Sequence, residues 1–525
     1  MDGAVRGAPD HWGMHPNDIT LARVVVVLVL LVALGAAACS DDTTPATDAG
    51  PPDVAADTTV DVTTDVAGDQ MPVLDVAVGD AAHPGTTKWI ATAASSGTGR
   101  VEPYTSGAFV GPGGDVYITG IFSGTTTFGT TTLVSKGGYD IFVARLAPDG
   151  SFAWAFSAGG TGQDLGACVS ADAAGNVYAT AFFGGSATFG TESHNSAGGM
   201  DIAVTKLSPD GAHLWTKVFG GTGDDIAYGC ALDAGGNLVV GAGFASTITV
   251  GSKTLTSQGK IDALVFKLDP QGQATEAWQP GSGTEVVQIS ALDLDSSGNV
   301  YLAGLFQGTA TFGAQSLTST GDADVFVSKL SPTGAVQWTA RGGGAAQDVA
   351  LALVVEPGGA AYVTGTIEGP ATFGTIQVPH VEGGDIFVAK IAPGGTFAWA
   401  NASGGTGSMS YPSDIGHDVT LAPNGDLILA GAYRHAMTIG GWQLTGCVSL
   451  EGFVARYDAT SGTPTWVLSS QTKDPGCTRA YAARFDANGD LIVVGKWRGE
   501  TTLGTTTLTA KGTSYDLYIW KLTPP

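Results

Sequence analysis

Basic residues are scarce in this chain: 23 Lys and Arg stand against 48 Asp and Glu, and charged residues of both signs make up only 14% of its 525 residues. A formal net charge of −25 leaves too few cations to neutralise phosphates, which excludes duplex nucleic acid as a partner. Catalytic signatures are missing as well. There is no GxSxG elbow, no GxxxxGK[ST] phosphate loop, no HExxH and no CxxC, so nothing announces a serine nucleophile, a nucleotide or a zinc ion, and no cofactor is expected. No apolar run is long enough to span a bilayer. The longest, VVVVLVLLVAL at residues 24–34, has the length of a signal-peptide core instead.

That run lies behind Arg23 and ends in LGAAAC at residues 34–39. The ending resembles the lipobox of bacterial lipoproteins, in which the cysteine, here Cys39, is lipidated and becomes the mature N-terminus. Ala36 departs from the usual Leu, which keeps ordinary secretory cleavage open as the alternative. Met14 gives a more normal n-region than Met1. By the same resemblance, Ser40 after the cysteine implies sorting to the outer membrane or cell surface of a diderm bacterium, with a periplasmic or secreted protein as the alternative. Residues 1–38 are therefore read as the signal peptide. Residues 39–87 follow as a tether: 40–87 hold ten Asp, no Lys, Arg or Glu, and no aromatic residue. Such a composition cannot bury enough surface to offset its ordering entropy.

What the chain has in abundance is glycine, 79 residues, and repetition. The stretch DIFVAKIAPGGTFAWANASGG at 385–405 returns as DIFVARLAPDGSFAWAFSAGG from Asp140 and DIAVTKLSPDGAHLWTKVFGG from Asp201. Each copy reads as a strand, a Pro-Asp/Gly-Gly turn and a second strand carrying one Trp. The opening acid recurs at Asp140, Asp201, Asp262, Asp324, Asp385, Glu451 and Asp516, and five residues after each stands a base, Arg145, Lys206, Lys267, Lys329, Lys390, Arg456 and Lys521. A second series, TFG-like, runs Phe128, Phe189, Val250, Phe312, Phe373, Ile439 and Leu503. Turns such as Asp172-Ala-Ala-Gly-Asn176 precede it. Each repeat of about 61 residues thus holds four strands, A to D, and four-stranded units repeated radially are β-propeller blades.

The strand-D tryptophans are Trp154, Trp215, Trp278, Trp338, Trp399 and Trp466, and the missing seventh is Trp89, ahead of the first A strand. An N-terminal strand is therefore expected to complete the last blade and close the ring. The expectation is an all-β, seven-bladed β-propeller over residues 88–525. The pattern GGTGQD, then DxxGNVY, TFG and DIFVAKLxPxGxxxW, resembles the bacterial seven-bladed β-propeller repeat family labelled SBBP. The resemblance implies a fold and a secreted or surface setting, and it brings no activity with it.

Faces follow from strand alternation: A–B and C–D turns are short and share one face, while B–C excursions and D–A loops are longer and share the other. Longer loops on a rigid scaffold are where binding usually resides. The strand-C acids begin at this long-loop face, so it is expected to be acidic, with Asp164, Asp225 and Asp348 as an acidic ring near its central mouth. The plainer account of these three is that they accept backbone amides of the Gly turns. The acids and bases of strand C lie on opposite strand faces and frame the architecture. Gly220-Gly221-Thr222-Gly223-Asp224-Asp225 has the look of a calcium nonapeptide, but its period is wrong; the Asp486–Asp490 loop lacks the bidentate Glu of a calcium site. No metal site is expected.

The repeat is broken in its sixth copy and at the junction with the seventh. There Asp414, His417 and Asp418 at the start of strand A and His435 at the end of strand B are candidates for binding or acid–base work; solvated loop residues are the plainer account. Trp442, Arg479 and Trp497 (with Arg434 and Arg498) are the residue types of binding hot spots. Cys447 and Cys477 fall in the two irregular insertions on one face and are expected to form a disulfide. Cys168 and Cys230 are expected to be buried free thiols. The functional expectation is a lipid-anchored, monomeric module that binds a protein or glycan through its acidic long-loop face. The alternatives are a hydrolase or lyase working at His417 and His435, and a purely structural surface module.

Overall fold

The computed structural model describes residues 85–405 and 414–524, which belong to one compact unit, Pro84–Pro525. The signal peptide, Cys39 and nearly all of the tether lie outside the described residues. Every regular element among the described residues is a strand, as the dense glycine turns and the period-two apolar segments dictate.

The second repeat shows the local plan. Asp164–Ala171, Val177–Phe189, Glu192–Leu207 and His213–Phe219 pair antiparallel in that order. The A–B turn forms because Asp172 Oδ1 accepts the amides of Ala174 and Asn176 (3.0 and 2.9 Å), an Asx turn that reinforces the backbone bonds from Asp172 N–H to the Asn176 carbonyl and from Gly175 N–H to the Asp172 carbonyl (both 2.9 Å). The same A-B-C-D order holds in the other copies, for example Asp225–Leu232, Leu238–Phe244, Asp262–Leu268 and Ala274–Trp278. Seven such runs are present among the described residues. In the seventh, Gln471–Phe485, Leu491–Leu503 and Asp516–Thr523 are followed by Thr86–Ser95, with Thr86 opposite Thr523 and Ala93 opposite Leu517. That strand begins two residues before the expected boundary at 88.

Successive runs are joined by three recurring devices. The TFG segments form the first arms of B–C hairpins that pair with the end of the preceding D strand, as Phe189 does with Ala158 and Phe373 with Gly342. All seven TFG-series residues are buried, at 2% exposure or less. Each strand-D tryptophan lies on the C–D turn of the next run. Trp89, Trp154 and Trp338 donate their Nε1–H to the carbonyls of Pro148, Pro209 and Pro393 (3.0, 2.9 and 3.0 Å). The turn glycine facing Trp338, Gly395, has φ +86° and no room for a side chain, since a Cβ would stand 2.7 Å from the indole. Trp466 departs furthest from the series, since its Nε1 is buried with no hydrogen-bond partner. The third device is charge. Strand-C bases donate to the C–D turn of the next run, as Arg145 does to the Pro209 carbonyl and Lys206 to that of Pro270 (both 3.0 Å). They also reach the turn that opens strand B of their own run, as Lys267 does to Asp233 and Lys521 to Asp486 (3.0 and 2.7 Å).

Candidate binding site

The A strands of all seven runs converge on one cavity of about 450 Å³. Each A strand except the first carries a one-residue bulge at the same place, for instance between Gly166 and Cys168 and between Gly416 and Asp418. The bulge residues Tyr228, Ser290, Leu351, His417 and Tyr481, together with Tyr104, are buried at 2–5% exposure. The cavity occupies the half of the A strands beyond these bulges, next to the short A–B turns. Its walls mix polar and apolar surface, the apolar part including Val169, Leu232, Leu294, Leu353 and Val419.

Three charged side chains line it. Asp418 receives the Arg484 guanidinium and the Ala483 amide (2.9 Å). Arg484 also donates to the carbonyls of Ala108 (3.1 Å) and Ala483 (2.7 Å), so several of its donors are already engaged. Asp293 accepts the amides of Leu294 and Val355, both at 2.8 Å. Burial pushes the Asp293 carboxyl up to about 6, against the pull of those amides and of Arg484.

The Cys168–Cys230 pair corrects an expectation. The two cysteines are joined in a disulfide with Cα atoms 5.9 Å apart, and both line the cavity. Cys168 follows Asp164 by four residues and Cys230 follows Asp225 by five. Convergence of neighbouring A strands, which a strand-by-strand reading does not register, brings these staggered positions within bonding range. The expected Cys447–Cys477 pairing falls outside the described side chains at Cys447; Cys477 is buried.

The acidic long-loop face is also corrected. All seven strand-C acids are buried, at 2% exposure or less. The aspartates accept amides of the returning hairpin, as Asp140 does from Lys136 (2.9 Å) and Asp385 from Val381 (2.7 Å), and Glu451 accepts the amide of Thr472 (3.0 Å). Asp164, Asp225 and Asp348 form no solvent-facing ring: each is fully buried and accepts the amide of the D–A glycine turn, from Gly160, Gly221 and Gly344 (2.7, 2.7 and 2.6 Å). Asp414 repeats the contact with Gly405 at 2.9 Å and takes the Arg434 amide at 3.1 Å. Burial, reinforced by the strand-C carboxylate alongside, raises Asp164 to about 6 and Asp225, Asp348 and Asp414 to about 7. Gly159 separates Asp140 from Asp164, with φ +148°, and a Cβ there would come within 3 Å of both carboxyls.

The two histidines of the sixth repeat do not form a pair. His417 is 2% exposed and stacks on Tyr481, ring centroids 4.6 Å apart. Burial, with Arg479 and Lys496 nearby, holds its imidazole well below the ordinary value, hence neutral. His435 sits at the strand-B bulge with φ +59°. Trp497 is buried, with Tyr518 among its neighbours (ring centroids 6.4 Å apart), and Arg479 is 3% exposed; Trp442 alone of the expected aromatic contacts reaches solvent, at 38%. Among the described residues no cluster of three His, Cys, Asp or Glu could hold a metal ion. Asp418 is thus the one expected site residue that lines the cavity. Asp293 and Arg484 were missed, although both are charged residues near the ends of otherwise mainly uncharged A strands, at places where other repeats carry Ser170 or Thr420.

Beside His417 lies a polar core linking the last repeat to the first. Lys496, fully buried, donates to Glu102 at 2.5 Å and stands 4.2 Å from the Tyr515 ring. Arg100 lies 2.7 Å from the same carboxylate and donates to the Tyr139 hydroxyl at 2.8 Å. Burial alone would raise the Glu102 carboxyl, but Lys496 and Arg100 hold it below the ordinary value.

Repetition and strand order define the chain as an all-β repeat protein of the β-propeller kind. No family model and no curated sequence matches it. Among solved structures it is similar to the WD40 domain of Neurospora crassa Pan2, at 10% identity and TM-score 0.42, covering 84% of this chain and 98% of that one. It is also similar to the polysaccharide lyase Uly1, at 10% identity and TM-score 0.42, covering 80% and 90%. A third is YCF48 bound to a D1 peptide, at 9% identity and TM-score 0.31, covering 69% and 95%.

Proposed function

We propose that the seven runs are the blades of a seven-bladed propeller of the SBBP kind, closed by Thr86–Ser95, and that it serves as a binding module of the bacterial cell envelope. In this reading a lipid on Cys39 holds it at the outer membrane or cell surface, and a protein or glycan partner seats one small group in the cavity between the A strands. The convergence of seven A strands on one partly charged cavity of mixed polar and apolar lining carries the reading, because a concave site that combines apolar contact with placed polar groups suits ligand recognition. The Cys168–Cys230 disulfide is compatible with export to an oxidising compartment. The site moves from the long-loop face to the short-turn face, since the carboxylates expected to colour the former are buried.

Partner capture by the full chain tests the reading. Ala231→Trp, at a cavity-lining position, is expected to abolish capture while leaving the fold intact by circular dichroism. Capture unaffected by a filled cavity would place binding elsewhere. Metabolic labelling with palmitate is expected to mark the wild-type chain and not Cys39→Ser.

A further inference from the structure

We infer that the cavity selects a cation on a short apolar stem, a primary ammonium or guanidinium, which seats against Asp293; this rests on the reading of the cavity as the binding site. The charges around the cavity do not balance. Two carboxylates, Asp293 and Asp418, face one guanidinium, and that guanidinium belongs to Asp418. Asp293 has no ion pair among the described residues. Its two amide donors, Leu294 and Val355, each occupy one oxygen, and a carboxylate offers about four acceptor positions.

The surroundings favour that sign over the opposite one. An anionic ligand would meet Asp293 and Asp418, and the one cation lining the cavity among the described residues, Arg484, already gives its Nε and Nη1 donors to Asp418 and to two backbone carbonyls, leaving Nη2. Asp295, close to Asp293 in sequence, adds further negative potential although Lys329 lies 3.4 Å from it. The chain as a whole carries −25, which raises the local concentration of cations and repels anions. Val169, Leu232, Leu294, Leu353 and Val419 provide contact for methylenes, and a volume of about 450 Å³ suits a short stem rather than a whole oligosaccharide. A lysine or arginine side chain of a protein partner has this chemistry, as does a free alkylamine.

Calorimetric titration of the full chain at neutral pH distinguishes these. n-Butylammonium and agmatine are expected to bind, while 1-butanol and butanoate, of similar stem, are not. Asp293→Asn keeps the amide contacts and removes the charge; it is expected to weaken n-butylammonium roughly tenfold or more. A short lysine peptide that binds better than n-butylammonium, and better than its norleucine counterpart, identifies a protein partner as the source; equal or weaker binding identifies a free amine. Butanol or butanoate binding as well as the amine in wild type overturns the cation inference and leaves the cavity reading standing. If no probe binds and Ala231→Trp also leaves partner capture unchanged, both fall.

Discussion

Acidification should stabilise this protein before it destabilises it. Asp164, Asp225, Asp348 and Asp414 are pushed from 3.8 to about 6, 7, 7 and 7 by burial and by the neighbouring strand-C carboxylates. A carboxyl with a raised folded value binds its proton more tightly when folded, so stability rises as pH falls from about 7 toward 4 and is lost again as pH climbs through the folded value. Each unit is worth about 1.4 kcal/mol per group, giving an upper bound of about 16 kcal/mol for the four. His417 opposes this below its ordinary 6.5, because it stays neutral when folded; that is one group over 1.5 units, about 2 kcal/mol from pH 6.5 to 5. Water at buried oxygens such as Asp140 Oδ1 and Asp201 Oδ1, which have no protein partner, reduces the carboxyl contribution. If about a third of both effects survives, the net gain between pH 8 and 5.5 is roughly 2 kcal/mol. Guanidinium denaturation at constant ionic strength reads it directly. Asp225→Asn keeps the acceptor for Gly221 and removes the charge beside Asp201, so it should add about 1 kcal/mol at pH 8 and flatten the slope by about a quarter. A wild-type stability that is flat or falling from pH 8 to 5.5 refutes the reasoning, as does an unchanged slope in the variant.

Three other perturbations have definite expected outcomes. Non-reducing peptide maps should show Cys168 linked to Cys230, and Cys168→Ala with Cys230→Ala should cost about 2–4 kcal/mol, since the closed loop spans a sequence separation of 62; free thiols at both positions would contradict the fold. Lys496→Met leaves Glu102 buried with Arg100 alone and should cost about 3 kcal/mol; adding Glu102→Gln should recover part of that loss, whereas strict additivity would show that the two do not interact. Gly395→Ala should cost at least about 2 kcal/mol from its positive φ and the indole of Trp338. Trp338→Phe, which loses one hydrogen bond to Pro393, should cost about 1 kcal/mol. A neutral Gly395→Ala in thermal melts would show that the turn is not packed as described.

Local chemistry was legible in the sequence and lateral chemistry was not. The strand-C acids and the Asx turns act within a few residues of themselves, as Asp172 does on Asn176 and Asp140 on Lys136, so spacing alone identifies them. The cavity depends on which residues of seven separate A strands face one another, and a single repeat carries no record of that. Hence spacing alone leaves Cys168 and Cys230 as buried free thiols, and the breaks in the pattern point to the irregular sixth repeat. There His417 and Trp497 prove to be packing residues, while Asp418 touches the cavity only in company with Arg484 from the next A strand. A search for charge near the ends of the A strands would have found Asp293 and Arg484.

The unsatisfied indole of Trp466 has a practical consequence. Each earlier tryptophan rests on a Pro-Gly or similar turn, and Trp466 falls where that turn would join Thr523 to Thr86, residues that already pair across the strand ends. A circularly permuted chain, with a Pro-Asp-Gly linker at this point and new termini cut into another C–D turn, would keep every strand neighbour and give Trp466 a carbonyl to donate to. Within residues 86–523 the break between Thr523 and Thr86 is thus interchangeable with other C–D turns, and the site of opening is a free variable for display or fusion.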